Sequence, residues 1–440
     1  MERIRTVEAE AHVEERVFLQ GWLHAVRRLG GVNFILLRDG WGVIQAVTED
    51  EADLAPLEGL AEETVIALEG VVVRSAQAPG GRELHHPRVH VIMPVVEPPP
   101  APLYKRQLNV RLPTMLDHAV VLNRHPRRRA IFRLAAGAMG GFRATLDGRH
   151  FTEIQTPKIV ASATESGANV FAVDYQGQPA FLAQSPQFYK QIMVGVFERV
   201  YEVGPVFRAE PHNTSRHANE YVSLDAEMGF IEDHFEVMAV VRDVVAGILA
   251  WLSERYQDEV DFLGAALPPV PAEIPHIHFA EAGMLLRERY GAAAEEAPGV
   301  ATGEPDLSPH DERRLGAWAK EEYGSDFLFV TGYPMIKRPF YTHPEPERPE
   351  YSNSFDLLFR GMELITGGQR RHRYEDYKAA LTAANLSPEP FAAYLEAFRH
   401  GMPPHGGFAI GLERLLMQLL GVGNVRLTTL FPRDRTRLTP

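Results

Sequence analysis

The stretch PVVEPPPAPL at residues 94–103 constrains this chain more than any other feature. Proline fixes φ and donates no backbone hydrogen bond, so prolines this dense fit neither a helix interior nor a central strand. The stretch reads as a stiff, extended hinge. The segments on its two sides must each bury a core of their own. A length of 440 residues is consistent with two to three such units.

Before the hinge, ERVFLQGWLHAV and VNFILLRDGWGVIQAVT read as short strands punctuated by Gly-rich turns, with further apolar runs at TVIALEGVVVRS and PRVHVIM. Short strands so closely spaced predict a small closed barrel of the OB type. After the hinge, PRRRAIFRLAAGAMGGFRATLDGRHFTEIQTPKIV predicts a long helix and then a strand ending at Pro157. Strand-like runs continue to about residue 235, a helical pattern covers 233–262, and strands return at SDFLFVTGYP and SNSFDLLFRGMELITGG. A helix in GGFAIGLERLLMQLLG closes the chain. The expected class is α+β: a barrel at 1–95, a hinge and linker at 96–125, and an antiparallel sheet flanked by helices at 126–440. Residues 265–325 read as a variable insertion in that last unit, with helix signals broken by Pro/Gly/Glu-rich loops.

Composition narrows the classes. The net charge is −13, which disfavours a generic nucleic-acid coat but leaves room for local basic docking surfaces. Three runs are basic: VRRLGG around Arg27 and Arg28, RHPRRR at 124–129, and QRRHR at 369–373. Each alternatively reads as a solvated face. Cysteine is absent, which removes disulfides, thiolate zinc sites and thiol catalysis and fits a reducing cytoplasm. No apolar run is long enough to span a membrane and no secretory leader is recognisable, so neither is expected.

Three constellations carry chemistry. In VFRAEPHNTSRHANEY at 206–221, Arg208 and Glu210 are followed by Arg216, His217, Glu220 and Tyr221. Guanidiniums present a planar fork to phosphate oxygens, and an aromatic ring gives a purine a face to stack on. In YSNSFDLLFRGMELITGGQRRH at 351–372, Asp356, Glu363 and Thr366 put oxygen ligands on strand-like runs, suited to Mg²⁺ shared with substrate phosphates, and Arg370 comes four residues later. In GGFAIGLERLLMQLLG at 406–421, glycines let backbone approach a ligand and Arg414 opens an apolar helix. A charge there either meets a buried acid or faces a triphosphate. Together these groups would stabilise charge on a transferring nucleotide by positioning and electrostatics, with no protein nucleophile.

These stretches resemble the three signature motifs of class II aminoacyl-tRNA synthetases: the helix and strand ending at Pro157, the FRAE…RH hairpin, and GLER. The resemblance runs from GWLHAVRRLGGVNFILLRDG to the terminal LFPRD. It implies activation of an amino acid by ATP as an adenylate, then transfer to a tRNA 3′ end. Within the class, AFLAQSPQFYKQ at 180–191 is similar to aspartyl-tRNA synthetases of the short archaeal type. The resemblance assigns Gln187 and Lys190 to the amino acid and Arg370 to its side-chain carboxylate. Two cations around a small cavity also favour aspartate over neutral asparagine.

By the same resemblance, Arg208 holds the α-phosphate, Tyr221 stacks on adenine, and Arg414 meets the γ-phosphate. Glu210, Arg216 and His217 lie beside the triphosphate, and Asp356, Glu363 and Thr366 are the magnesium ligands. TESGAN at 164–169 resembles a loop that closes over the amino acid, with Glu165 near the α-ammonium. Asp225 matches a position near the substrate, whereas Glu227 reads as structural. The first motif implies a homodimer. Two departures stand out: MLDHAVVLNRHPRR replaces the family's arginine-rich run, so no contact carries to Met115 or Ala119, and Asn169 stands where relatives often place an acid.

The barrel resembles the family's anticodon-binding domain. Phe34 and Gln45 match a stacking and reading pair, and Glu83 matches a third contact. An anticodon loop is single-stranded, so its bases are open to stacking and edge recognition. His24, with Pro79 and Gly80 in place of a lysine-bearing loop, resembles enzymes that accept both tRNA(Asp) and tRNA(Asn). Proline offers no donor to a base. The implied product Asp-tRNA(Asn) would pass to an amidotransferase. The rival readings are an asparagine-tRNA ligase, a synthetase-like asparagine synthetase without need of an anticodon reader, and an inactive RNA-binding paralogue.

Overall fold

Alternation along the first strand shows how the N-terminal unit closes. In β1 (Arg16–Leu29), Val17, Leu19 and Leu23 point into a core, and the pattern slips at a bulge between Leu23 and Ala25 that accommodates His24. The inward set of β2 (Val32–Arg38), β3 (Val43–Thr48), β4 (Val65–Arg74) and β5 (Arg82–Met93) joins them, with Ile35, Leu37, Ile44, Ala46, Ile66, Leu68 and Leu84 all buried. The strands close in the order β1-β2-β3-β5-β4, the five-stranded barrel expected of an OB fold. This computed structural model describes residues 1–161, 170–209, 214–295 and 305–439.

Contacts divide the chain into Met1–Arg129 and Ala130–Pro440. The barrel's unit therefore takes in residues 96–125, which carry the short helices Leu112–Asp117 and Ala119–Leu122 and a small core of Ala101, Leu103 and Leu122. The basic run RHPRRR serves this packing. Arg124 reaches Glu63 at 3.2 Å, His125 bonds the Lys105 carbonyl at 2.9 Å, and Arg129 donates to the carbonyls of Asp39 and Gly40 at 2.8 and 2.7 Å. Arg128 is buried. Several donors of the run thus satisfy carbonyls and a carboxylate inside its own unit, while Arg124 stays exposed.

The second unit is built on an eight-stranded sheet. Its strands include β6 (Thr152–Glu153), β10 (Arg199–Phe207), β11 (Glu220–Gly229), β12 (His276–His278), β13 (Phe327–Thr331), β14 (Ser354–Phe359), β15 (Glu363–Arg370) and β16 (His405–Gly411), in the order β12-β13-β14-β15-β16-β11-β10-β6. A separate small sheet joins β7 (Ile159–Val160), β8 (Ala172–Tyr175) and β9 (Gln178–Leu182). The large sheet is antiparallel through its centre but parallel at both edges, where β6 pairs with β10 and β12 with β13. The wholly antiparallel expectation is corrected there: a helix-containing connection returns each edge strand in the same direction as its neighbour. The strand predicted to end at Pro157 is correspondingly short.

Two-residue periodicity gives the sheet two chemistries. Leu224, Ala226, Met228, Ile365, Phe408 and Ile410 face a core shared with the helices Pro126–Asp147 and His234–Arg255. Between them along the same strands, Tyr221, Ser223, Asp225, Glu227, Thr366 and Arg370 take the opposite face. The stretch 265–325 belongs to the sheet as well, since it supplies the edge strand β12 and the helices Phe279–Glu295 and Pro309–Tyr323.

Candidate active site

The polar face of the sheet opens on a cavity of about 470 Å³. Among its lining residues are Gln187, Lys190, Arg208, Arg216, His217, Tyr221, Glu363, Thr366, Arg370 and Arg414, which are scattered over more than half of the second unit's sequence. Glu165 and Glu210 lie outside the described residues.

At the inner end, the helix Gln187–Phe197 lays Lys190 over β11 and β16. Lys190 Nζ lies 3.0 Å from Asp225 Oδ1 and 3.3 Å from Glu227 Oε2, and donates to the Phe408 carbonyl at 3.1 Å. Arg370 Nε donates to Glu227 Oε1 at 2.9 Å, and its Nη2 to the Gly407 carbonyl at 3.1 Å. Burial opposes ionisation of Glu227, but Arg370 and Lys190 outweigh it and hold the carboxyl below its ordinary range. Gly407 is required for this arrangement, because a Cβ there would sit 2.0 Å from Glu227 Oε2. Gln187 leaves Nε2 buried with no bonding partner among the described residues, a donor available to a ligand. Glu227, read from sequence as structural, is the carboxylate that fixes both cations. Its alternation with Asp225 and Tyr221 on one strand face was the signal for it.

At the outer end, Arg208 leaves β10 with its backbone tied to Asn219 and its guanidinium 5.7 Å from the centre of the Tyr221 ring. Arg414 Nη1 donates to Glu363 Oε1 at 3.1 Å. The acid that Arg414 meets is half-buried, not buried, and both groups line the cavity. His217 Nδ1 is 2.6 Å from Thr214 Oγ1. Two residues here carried no sequence signal. Arg338 holds Asp356 at 3.2 Å, and Glu312 receives Arg216 Nη1 at 3.0 Å. Burial and Glu363 push the Glu312 carboxyl up to about 7 against the pull of Arg216.

Asp356 and Thr366 are cross-strand partners, and Thr366 Oγ1 lies 3.4 Å from Glu363 Oε1. Burial, reinforced by Glu363, raises Asp356 to about 6 against the pull of Arg338; Glu363 is drawn down by Arg414, Arg338 and Arg208, which outweigh its partial desolvation. Among the described residues no group of three His, Cys, Asp or Glu is placed to hold a metal. Glu363 and Thr366 line the cavity and, as oxygen donors, fit Mg²⁺ that draws its remaining ligands from phosphate and water, whereas both oxygens of Asp356 are engaged by Arg338 at 3.2 Å.

In the barrel, Gln45 and Glu83 are cross-strand partners joined at 2.7 Å, and Glu83 also meets His85 Nε2 at 3.1 Å. Phe34 lies on the same outward face of β2, since its neighbours Ile35 and Leu37 point to the core. His24 is buried at its bulge, with burial, Arg38 and His125 lowering it to about 4, whereas Pro79 opens an exposed turn between β4 and β5. The barrel places these two residues in different surroundings.

Residues 112–435 match the family of class II tRNA synthetases for D, K and N, and residues 17–92 match the OB-fold nucleic acid binding domain. The chain belongs to the class II tRNA synthetases. Its ATP-using, tRNA-charging chemistry is that of the class. Within that family it is 48% identical to the aspartate–tRNA(Asp/Asn) ligase of Thermus thermophilus over 100% of both chains. It is 38% identical to the aspartate–tRNA(Asp) ligase of Pyrococcus furiosus, over 97% of this chain and 96% of that one. Among solved structures it resembles asparaginyl-tRNA synthetase from Pyrococcus horikoshii complexed with asparaginyl-adenylate, with a TM-score of 0.90, 28% identity and full coverage of both chains.

Proposed function

We propose that this enzyme is an aspartate–tRNA ligase that charges both tRNA(Asp) and tRNA(Asn). The observation that carries the amino-acid assignment is the buried set Lys190, Arg370, Asp225 and Glu227 at the inner end of the cavity. Lysine and arginine only donate hydrogen bonds. A carboxylate placed against them accepts, whereas the NH₂ of an asparagine side chain turns donors toward donors. That favours aspartate over the asparagine-tRNA reading, although the overall fold is shared with an asparaginyl enzyme.

Gln187 and Lys190 with Arg370 bind the amino acid in this reading. Arg208 holds the reacting phosphate, Tyr221 stacks on adenine, and Arg216, His217 and Arg414 line the triphosphate's path. Asp356, Glu363 and Thr366 would hold Mg²⁺, which supplies charge neutralisation on the phosphates. The protein's part is orientation. The aspartate α-carboxylate is held in line with the α-phosphorus, pyrophosphate leaves, and the tRNA terminal hydroxyl then displaces AMP.

Phe34, Gln45 and Glu83 read the anticodon, and the lysine-free turn at Pro79 with His24 relaxes the choice between the two tRNAs. Support comes from the Asp/Asn names of full-length relatives. A homodimer through the first motif, delivery of Asp-tRNA(Asn) to an amidotransferase and a cytoplasmic location belong to the same proposal. Among the described residues no helix is long and apolar enough to cross a membrane. Charging of tRNA(Asp) and tRNA(Asn) transcripts with aspartate and with asparagine tests the reading. Aspartate on both is expected; charging with asparagine would overturn the amino-acid assignment, and rejection of tRNA(Asn) the relaxed one.

A further inference from the structure

The helix Pro309–Tyr323 comes from the stretch in which no motif is legible, yet it is firmly anchored. Ser308 and Asp311 cap its start reciprocally, at 3.2 Å from the Asp311 nitrogen to Ser308 Oγ and 3.0 Å from the Ser308 nitrogen to Asp311 Oδ2. Its middle touches the β14–β15 turn backbone to backbone. A Cβ at Gly316 would lie 2.4 Å from the Gly361 nitrogen, and one at Gly361 would lie 2.7 Å from Arg313 Cα. Gly361 also has a φ of 70°. Glycine at both positions lets helix and turn sit at this separation.

This contact delivers Glu312 to the rim of the cavity. The residue is 8% exposed, and its Oε2 accepts from Arg216 Nη1 at 3.0 Å and from the Glu363 nitrogen at 3.4 Å. Glu312 stands in the first helical turn, where the unpaired backbone N–H groups favour an anion. Arg216 lines the cavity with Arg208, His217 and Arg414.

We propose that Glu312 is a positioning residue for the nucleotide: it clamps one nitrogen of Arg216 so that the rest of the guanidinium is already turned to the ATP phosphates. This rests on the proposed role of Arg216 beside the triphosphate. A guanidinium has five N–H donors in a rigid fork, so one can be held by the protein while others serve a ligand. A flexible side chain ordered in advance loses less freedom when the ligand arrives.

The test is a double-mutant cycle over Glu312→Ala and Arg216→Ala, with Glu312→Gln as the conservative variant. Aspartate-dependent pyrophosphate exchange gives KM for ATP, KM for aspartate and kcat. Glu312→Ala is expected to raise KM for ATP about tenfold while KM for aspartate stays within about twofold. Glu312→Gln, which keeps an acceptor oxygen, should recover part of the loss. In the Arg216→Ala background, Glu312→Ala should have no further effect on ATP. An unchanged or lowered KM for ATP in Glu312→Ala overturns the proposal, as does an equal rise in both backgrounds. If Arg216→Ala alone leaves KM for ATP untouched, the role of Arg216 fails first and the clamp with it.

Discussion

Arg370 donates Nε to Glu227 at 2.9 Å, and neither side chain has appreciable contact with solvent. Glu227 also faces Lys190 at 3.3 Å, so one carboxylate orients the two cations proposed to meet the amino acid. Removing one member of a buried, hydrogen-bonded charge set leaves the others uncompensated, which costs about 2–5 kcal/mol. Glu227→Gln is therefore expected to raise KM for aspartate at least about 30-fold and to lower the melting temperature. ATP binding by calorimetry should be retained. A wild-type KM for aspartate would return Glu227 to a purely structural role.

Lys190→Leu should abolish aspartate activation while ATP binding remains measurable. The substitution removes the buried ammonium that links Asp225, Glu227 and the Phe408 carbonyl. Pyrophosphate exchange unchanged by it would refute the assignment of Lys190.

Phe34→Ala separates RNA recognition from chemistry. Loss of one base–aromatic stack is worth about 1–3 kcal/mol, or roughly 5- to 150-fold in KM for tRNA. Exchange with aspartate and ATP alone should not change. Equal loss in both assays would mean that Phe34 supports the fold of its unit and stacks on no base.

Glu413 supplies a pH signature. Its carboxyl is buried in the cavity wall, accepts from the Val222 nitrogen at 3.1 Å, and is pushed up from 4.5 to about 7 by burial. The folded protein thus binds the proton more tightly than the unfolded chain does. The resulting loss of stability accrues as pH rises from 4.5 to about 7 and is absent below that window. Glu413→Gln keeps an acceptor for Val222 and removes the titration. It should match the wild type in denaturant unfolding at pH 4 and exceed it at pH 8 by up to about 3 kcal/mol. Equal differences at both pH values would remove the titration from the explanation.

What could be read locally along the chain was considerable. Strand alternation in ERVFLQGWLHAV and the clustered charges of FRAE, RH and GLER are properties of neighbouring residues, so they announce a barrel and a charged site without a fold. The proline-dense stretch, read as a hinge, instead packs Ala101 and Leu103 into the barrel's unit, which runs to Arg129. Partnership across long distances is not local. Glu227 could be seen as the anchor of Lys190 and Arg370 only once β11, β15 and β16 were in register. Glu312 reached Arg216 only because Gly316 lets its helix touch the Gly361 turn, and RHPRRR was committed to its own unit by carbonyls at Lys105, Asp39 and Gly40. Residue type determined which chemistries were available to this chain. Strand pairing and helix docking decided which charges meet, because the energy of a buried charge depends on partners that sequence order does not specify.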